Sequence, residues 1–275
     1  MKNGNHVMIT GGGGSGLGLG MALRYLKRSS RVSVLDLVVP ESSHEQLDAA
    51  ASAGQTEWQF QTADITDFDQ TQTSVLAAVE TFGAPDLAIN SAGVVINKAF
   101  VDMLPEEFRR VVDINLNGSY HFAKAVLPTL QPGSRLALVA SIAGLTSNYA
   151  YAAYGASKFG VVGLATTLRY EYEPQGIHIS CICPAEVKTP MVEKERTDAN
   201  PVSLELKALA GSLETDSACD QIVAGLDAGR WQIIPGFSGK LTAFGARYLP
   251  GPFNAIMLRL IGRALRKHGM NKRPA

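Results

Sequence analysis

The 275-residue chain has few cysteines, no net charge and no long apolar run. Its three cysteines, Cys181, Cys183 and Cys219, are an odd number, which argues against a disulfide framework and fits a reducing compartment. The five histidines show no metal-ligand spacing, so we expect no metal. Because no segment reaches transmembrane length and Met1 opens no secretory leader, we expect a cytoplasmic protein.

Acidic residues are absent after Asp227, although the whole chain is neutral. That stretch therefore carries a formal charge of +9 and the remainder −9. Its basic residues are Arg230, Lys240, Arg247, Arg259, Arg263, Arg266, Lys267, Lys272 and Arg273. We interpret residues 236–275 as a basic amphipathic extension of a domain that spans 1–235.

Apolar residues of this extension recur at helical spacing from Phe253 to Leu265. Such a helix can lie on an anionic membrane surface, pack on the chain's own substrate cleft, or join a second subunit. These three alternatives stay open. A nucleic-acid partner is disfavoured, because the extension has few aromatics for stacking on bases.

A glycine-rich turn follows the first apolar segment. His6–Thr10 reads as a strand, residues 11–20 contain seven glycines, and the residues from Leu17 onward read as a helix. Strand, glycine turn and helix together form the context of a dinucleotide loop, where backbone N–H groups approach a pyrophosphate. Asp36 ends the second strand, eighteen residues after Gly18, about where a carboxylate meets the adenosine ribose. It would repel a 2′-phosphate, so we predict NAD(H) rather than NADP(H).

A second constellation lies near the middle of the chain. Tyr154 and Lys158 are four residues apart, so they share one face of a predicted helix. A neighbouring ammonium favours phenolate, so we expect Lys158 to lower the pKa of Tyr154 toward neutrality. Such a tyrosine exchanges a proton with an alcohol or a ketone. Ser141, thirteen residues upstream of Tyr154, can hold the same substrate oxygen.

The alternation of strand-like and helical segments predicts the fold. Strands at 6–10, 31–36, 57–62, 86–90, 135–140, 177–183 and 231–235 alternate with helices at 17–28, 43–53, 69–82, 105–130, 152–173 and 215–228. This pattern is typical of an α/β fold: a Rossmann-type, doubly wound parallel sheet with helices on both faces, here one domain plus a C-terminal helical extension. Ligands bind at the carboxyl ends of such strands.

With these motifs in order, the chain resembles the classical short-chain dehydrogenases/reductases from about His6 to Arg230. The resemblance implies a catalytic tetrad of Asn115, Ser141, Tyr154 and Lys158. Asn115 would bend its helix and hold a water that links Lys158 to solvent. Lys158 would also hydrogen-bond the nicotinamide ribose.

The resemblance also implies the residues that bind the cofactor. Either the loop carries one glycine more than the family pattern or its register shifts, with Gly11 where threonine is usual. Ala185 stands where glycine is usual. The predicted cofactor residues are Gly12, Ser15, Gly16, Leu17, Gly18, Asp36, Asp64, Ile65, Asn90, Ala92, Gly93, Tyr154, Lys158, Pro184, Val187 and Thr189.

The substrate is less defined than the reaction. Residues 190–215 correspond to the family's substrate lid, and Glu186 lies where a carboxylate could hold a substrate amine or hydroxyl. Thr189-Pro190-Met191 and the basic tail are similar to the 3-ketodihydrosphingosine reductase branch, which reduces a long-chain 2-amino ketone at a membrane. That branch resembles NADPH users, whereas Asp36 predicts NAD(H).

We therefore expect an oxidoreductase that moves a hydride between NAD(H) and a hydrophobic secondary alcohol or ketone. The alternatives are a 3-ketosphinganine-type reductase and, in another class, a non-catalytic dinucleotide-binding regulator. We expect a homo-oligomer, dimer or tetramer, with possible peripheral membrane contact through the C-terminal helix and no nucleic-acid partner.

Overall fold

A computed structural model describes residues 4–270 of the chain, apart from the side chains at positions 194, 196, 198 and 210. Lys272 and Arg273, two of the predicted basic residues, lie outside the described residues. Its strands are β1 (His6–Thr10), β2 (Arg31–Asp36), β3 (Trp58–Thr62), β4 (Leu87–Asn90), β5 (Arg135–Val139), β6 (His178–Ile182), β7 (Val187–Lys188), β8 (Leu213–Glu214) and β9 (Gln232–Ile233).

Within the described chain, seven of these strands form one sheet in the order β3-β2-β1-β4-β5-β6-β9, and all pairings are parallel. The strand order reverses beside β1, which lies between β2 and β4. In an open parallel sheet, that reversal leaves a crevice at the carboxyl ends of the strands. β7 and β8 pair separately.

The helices are α1 (Leu17–Leu26), α2 (Glu41–Gly54), α3 (Phe68–Phe82), α4 (Pro105–Val112), α5 (Gly118–Val126), α6 (Ala143–Thr146), α7 (Ala152–Tyr172), α8 (Pro190–Asp198), α9 (Pro201–Ala210), α10 (Thr215–Asp227), α11 (Phe237–Tyr248) and α12 (Pro250–Lys267). They cover both faces of the sheet. Successive strand residues point to opposite faces, so Met8 packs in one core cluster while Val7 and Ile9 pack in the other. The predicted doubly wound fold is confirmed.

The helix predicted over 105–130 is not continuous. α4 and α5 are separated by a wide π-turn, Asp113–Asn117, and a 3₁₀ turn, Leu127–Thr129, follows α5. Asn115 lies in the π-turn and is fully buried. Its amide bonds the Val94 backbone in both directions, accepting from Val94 N at 2.8 Å and donating to Val94 O at 2.9 Å. Such turns often mark functional sites, and this one lies where the resemblance implies a bend.

The C-terminal helix α12 packs on helix α9 of the same chain. Ala264 is buried against Val202 and Leu206 of α9, and Leu260, Ile261 and Leu265 pack around them. Glu205 of α9 also pairs with Lys267 at 3.1 Å. Of the three alternatives left open by the sequence, the structure therefore places much of the α12 apolar face against the chain itself. Among the described helices, none is long and apolar enough to cross a membrane.

Candidate active site

The glycine turn between β1 and α1 is closed by direct backbone contact. A Cβ on Gly18 would lie 2.0 Å from the carbonyl oxygen of Gly11, so only glycine fits there. A Cβ on Gly13 would lie 2.6 Å from the carbonyl oxygen of Val38. These contacts make a tight cradle directly before the first turn of α1. A dinucleotide fits this cradle, because the bare backbone lets phosphate oxygens approach the free N–H groups of a helix N-terminus.

Asp36 at the end of β2 faces the same turn. Its Oδ2 accepts from the backbone N–H of Gly13 at 3.0 Å and of Gly14 at 3.3 Å, while Oδ1 accepts from Leu37 N at 2.8 Å. The carboxylate thus fixes the segment that holds the extra glycine. Sequence reasoning assigned Asp36 to the ribose alone and did not foresee that it also holds the loop.

One cavity of about 1180 Å³ runs along the carboxyl ends of the strands. That volume suits a dinucleotide together with a substrate. The predicted residues that line it are Ser15, Gly16, Leu17, Gly18, Asp36, Asp64, Ile65, Ala92, Gly93, Ser141, Tyr154, Lys158, Pro184, Glu186, Val187 and Thr189. Motifs far apart in sequence therefore meet in one place.

Three predicted residues do not line the cavity but lie behind it: Gly12, Asn90 and Asn115. Asn90 is buried, accepts from the Thr10 hydroxyl and donates to Ser119 Oγ at 2.7 Å. Contact of Gly12 and Asn90 with a cofactor stays a prediction; the structure places Asn90 at the end of β4 and Gly12 in the turn after β1. Both are placed to support the loops that do line the cavity.

Ser141, Tyr154 and Lys158 meet at the inner part of the cavity. Ser141 and Tyr154 both line the cavity, and Ser141 Oγ donates to the carbonyl oxygen of Pro184 at 3.4 Å. Ser141 Oγ also accepts from Ala143 N at 3.1 Å. Lys158 Nζ lies 5.8 Å from the Tyr154 ring centre and donates to the carbonyl oxygen of Val139 at 2.8 Å. The shared helix face predicted for Tyr154 and Lys158 is therefore present.

The predicted pKa shift of Tyr154 is wrong in direction. Burial raises the pKa of Tyr154 to about 12; the Ser141 hydrogen bond opposes the rise and the Glu195 charge adds to it. Burial also lowers the pKa of Lys158 to about 8. Desolvation disfavours both charged forms, and it is the largest cause of each shift. In this structure Tyr154 is a phenol at neutral pH.

A buried polar cluster beside Tyr154 was not predicted. Glu195 of α8 accepts from the Tyr151 hydroxyl at 2.7 Å, from Asn97 Nδ2 at 2.9 Å and from Lys207 Nζ at 2.7 Å on each oxygen. The Tyr151 ring lies 5.2 Å from the Tyr154 ring. Burial, and then the Glu195 charge, raise the pKa of Tyr151 far above its usual range. The cluster ties α8 and α9 to Tyr151, the residue directly before α7.

Glu186 lies next to this cluster and lines the cavity. Its side chain is 8% exposed, and Lys207 Nζ lies 3.3 Å from its Oε2. The Glu186 carboxylate is therefore largely shielded from solvent. The contact with Lys207 comes from a residue 21 positions later, which no local pattern indicates.

The cavity has a glycine cradle at one end and, at the other, a phenol with a serine and a lysine. Hydride transfer between a nicotinamide and a carbonyl requires these parts of a protein. The fold and the site together define a dinucleotide-dependent α/β oxidoreductase. Among the described residues, no group of three His, Cys, Asp or Glu side chains is placed to hold a metal ion.

Comparisons with known proteins give the family. A model of the short chain dehydrogenase family matches residues 5–200. The 3-dehydrosphinganine reductase TSC10B of Arabidopsis thaliana is 33% identical over 247 residues, which cover 88% of this chain and 72% of that protein. Its paralogue TSC10A is 34% identical over 86% of this chain and 72% of its own length. The chain belongs to the short-chain dehydrogenase family.

Solved structures agree with this assignment. Levodione reductase is 29% identical, covers 88% of this chain and all of its own, and superposes with a TM-score of 0.77. A short chain dehydrogenase from Mycobacterium paratuberculosis, solved with NAD bound, has the same TM-score at 23% identity, which speaks for the fold alone. The family resemblance and the oxidoreductase class predicted from sequence are confirmed.

Proposed function

We propose that the protein is an NAD(H)-dependent reductase of a long, hydrophobic ketone, which also oxidises the corresponding secondary alcohol. The observation that carries this proposal is the wall of the cavity. Beyond Ser141 and Tyr154, α12 contributes the apolar side chains Phe253, Met257 and Leu260. A small polar substrate has no use for such a wall, whereas an alkyl chain gains roughly 0.8 kcal/mol for each CH₂ that leaves water.

A bound dinucleotide would supply the hydride, and the protein supplies the proton. As the carbonyl carbon gains the hydride, the Tyr154 hydroxyl donates its proton to the carbonyl oxygen. A pKa of about 12 supports this role, because the phenol is fully protonated at neutral pH. Ser141 donates a hydrogen bond to the same oxygen and stabilises its developing charge. The proposed direction is reduction, in which the phenol donates its proton.

Asn115 and Lys158 support the proton donor. Asn115 Nδ2 donates to Ser157 Oγ at 3.0 Å, and Ser157 precedes Lys158 on α7. A Cβ on Gly93 would come within 3.5 Å of Lys158 Nζ, so the glycine keeps this space open beside the ammonium. We propose that Lys158 holds the ribose of the cofactor. We also propose that the buried group of Asn115, Ser157 and Lys158 resupplies the proton that Tyr154 donates.

The preference for NAD(H) rests on Asp36. Its carboxylate lines the cavity at the end of β2, where the adenosine ribose of a bound dinucleotide would lie. A 2′-phosphate there would meet a like charge across partly desolvated space, which disfavours NADP(H).

A second, narrower candidate substrate is 3-dehydrosphinganine, a long-chain 2-amino ketone. Two relatives that align over more than four-fifths of this chain carry that activity in their names. We propose Glu186 as a contact for a polar substituent beside the carbonyl, because it is buried and lines the cavity near Tyr154. A homo-oligomeric state, a cytoplasmic location and a peripheral membrane contact remain parts of the proposal.

A chain-length series of ketones, assayed with NADH and with NADPH, tests the proposal. We expect kcat/KM to rise with chain length, to be higher with NADH, and to be highest among the series for the 2-amino ketone. Values that fall with chain length would contradict the hydrophobic substrate, and a preference for NADPH would contradict the interpretation of Asp36. Tight NADH binding without turnover of any ketone would instead favour the non-catalytic regulator.

A further inference from the structure

The outer face of α11 carries a stripe of large apolar side chains in water. Phe237, Leu241, Phe244 and Tyr248 are 80%, 60%, 54% and 63% exposed. Their spacing of four, three and four residues places them on one side of the helix. A contiguous apolar stripe is unusual on the surface of a monomer and marks a surface that meets a partner. We call these four residues the α11 stripe.

The opposite face of α11 belongs to the substrate cavity. Ser238, Gly239 and Thr242 line it, and a Cβ on Gly239 would lie 3.3 Å from the Cβ of Ala185, next to Pro184. One helix therefore separates the α11 stripe from the place where the substrate is proposed to react. Whatever meets the stripe lies directly outside the wall of the cavity.

The charged residues of α11 and of α12, which packs against it, are all basic. Lys240 and Arg247 of α11 are exposed, as are Arg259 and Arg263 of α12. No Asp or Glu occurs in the sequence after Asp227 to offset them. A second copy docking through the same face would bring these cations against their own counterparts, because a two-fold contact repeats each residue. An anionic partner is favoured instead, and an apolar stripe flanked by cations fits the headgroup boundary of an anionic bilayer.

We propose that the α11 stripe docks the protein on anionic lipid bilayers. Phe237, Leu241, Phe244 and Tyr248 enter the interface, while Lys240 and Arg247 contact the lipid phosphates. The inference deepens the proposed function, since a long-chain ketone resides in bilayers and the cavity lies behind the docking helix. Binding to a bilayer can be measured without turnover. The docking proposal and the proposed function can therefore be refuted independently.

Sedimentation of the full chain with vesicles tests the proposal. The vesicles are phosphatidylcholine alone, or phosphatidylcholine mixed with an equal part of phosphatidylglycerol. We expect binding to the anionic vesicles that weakens as salt rises, because the Debye length falls to about 8 Å at physiological ionic strength. The double variant Phe237→Ser/Phe244→Ser should bind at least roughly tenfold more weakly, in line with the loss of two interfacial side chains.

Matched variants separate the α11 stripe from general stickiness. Leu76→Ser/Tyr170→Ser removes apolar side chains that are 53% and 74% exposed on α3 and α7, and it should bind vesicles like the wild type. Lys240→Gln/Arg247→Gln keeps the stripe and should lose most of the salt-sensitive binding. Circular dichroism melts show whether each variant folds. If Phe237→Ser/Phe244→Ser does not fold, vesicle binding by Lys240→Gln/Arg247→Gln tests the proposal instead.

Three outcomes would overturn the proposal. The wild type does not bind anionic vesicles, it binds both vesicle types equally, or Leu76→Ser/Tyr170→Ser weakens binding as much as Phe237→Ser/Phe244→Ser does. A molar mass in light scattering that halves on Phe237→Ser/Phe244→Ser, without vesicle binding by the wild type, would assign the stripe to a second copy. Turnover of a soluble short ketone, measured in parallel, reports on the proposed function independently.

Discussion

The two ends of the cavity are built in different ways. The cofactor end is made of backbone: a Cβ on Gly11 would lie 2.7 Å from the backbone nitrogen of Ala92, and one on Gly18 would lie 2.0 Å from a carbonyl oxygen. The substrate end is made of side chains from separate helices, such as Glu195 and Lys207. The first end tolerates almost no change, whereas the second can be altered residue by residue. Under the proposed function, the second end is the one that selects the substrate.

The largest expected effect lies where the two ends meet. Tyr154→Phe removes the proton donor but keeps the shape of the ring, so turnover should fall roughly 10²–10⁴-fold, the usual contribution of a general acid. NADH binding, measured by fluorescence titration, should stay within error of the wild type. Tyr170→Phe on the same helix, 74% exposed, is the matched control. Turnover within about tenfold of the wild type would refute the role of Tyr154.

The pH dependence of ketone reduction should report Lys158. Burial lowers its pKa to about 8, so the ammonium is present below that pH and is lost above it. We expect kcat/KM for reduction to fall roughly tenfold for each pH unit above this value. The stability of the fold should instead rise with pH between about 8 and 10.5. In this window Lys158 keeps its proton in the unfolded chain, where its pKa is 10.5, and loses it on folding. A rate that stays level well above pH 8 would contradict the role of the charge.

The cofactor end can be probed without dismantling it. Asp36→Asn keeps an oxygen that accepts from the N–H groups of Gly13 and Gly14 but removes the charge that a 2′-phosphate would meet. We expect the ratio of NADH to NADPH affinity to fall roughly tenfold, equivalent to about 1.4 kcal/mol, with little change in Tm. Asp36→Ala should lose both the discrimination and the support of the loop. An unchanged ratio in both variants would show that another residue selects the cofactor.

The smallest expected effect lies at the substrate end. Tyr151→Phe keeps the ring beside Tyr154 but withdraws a hydrogen bond from buried Glu195, at a cost of roughly 1.5–3 kcal/mol to a charged acceptor. A loosened lid should raise KM for the ketone several-fold while kcat changes little. Steady-state kinetics and a thermal melt check this together. A fall in kcat with unchanged KM would place Tyr151 in the chemistry rather than in the lid.

Sequence reasoning reached the cofactor end because its signals are local. The glycine turn, Asp36 and the Tyr154–Lys158 spacing each lie within one strand-turn-helix unit or one helix face. It did not reach Glu195, whose partner Asn97 lies 98 residues away and belongs to no motif. It misjudged the pKa of Tyr154 because spacing predicts proximity but not burial.

The C-terminal extension shows a different limit. The apolar spacing from Phe253 to Leu265 was visible, but only packing on Val202 and Leu206 shows that this face is covered. The four, three and four spacing of the α11 stripe was equally visible in the sequence. The sequence does not show which helices pack on the rest of the chain. It therefore could not distinguish the exposed α11 stripe from the buried apolar face of α12.

The most direct test of the central claim follows a single atom. NADH carrying deuterium on the transferring face of nicotinamide C4 is incubated with the protein and 3-dehydrosphinganine or a long-chain ketone, and the alcohol is analysed by mass spectrometry. We expect deuterium on the new carbinol carbon with the wild type and almost none with Tyr154→Phe. Alcohol formed without the label, or no alcohol from any long-chain ketone, would contradict the claim that this chain is a hydride-transferring ketone reductase.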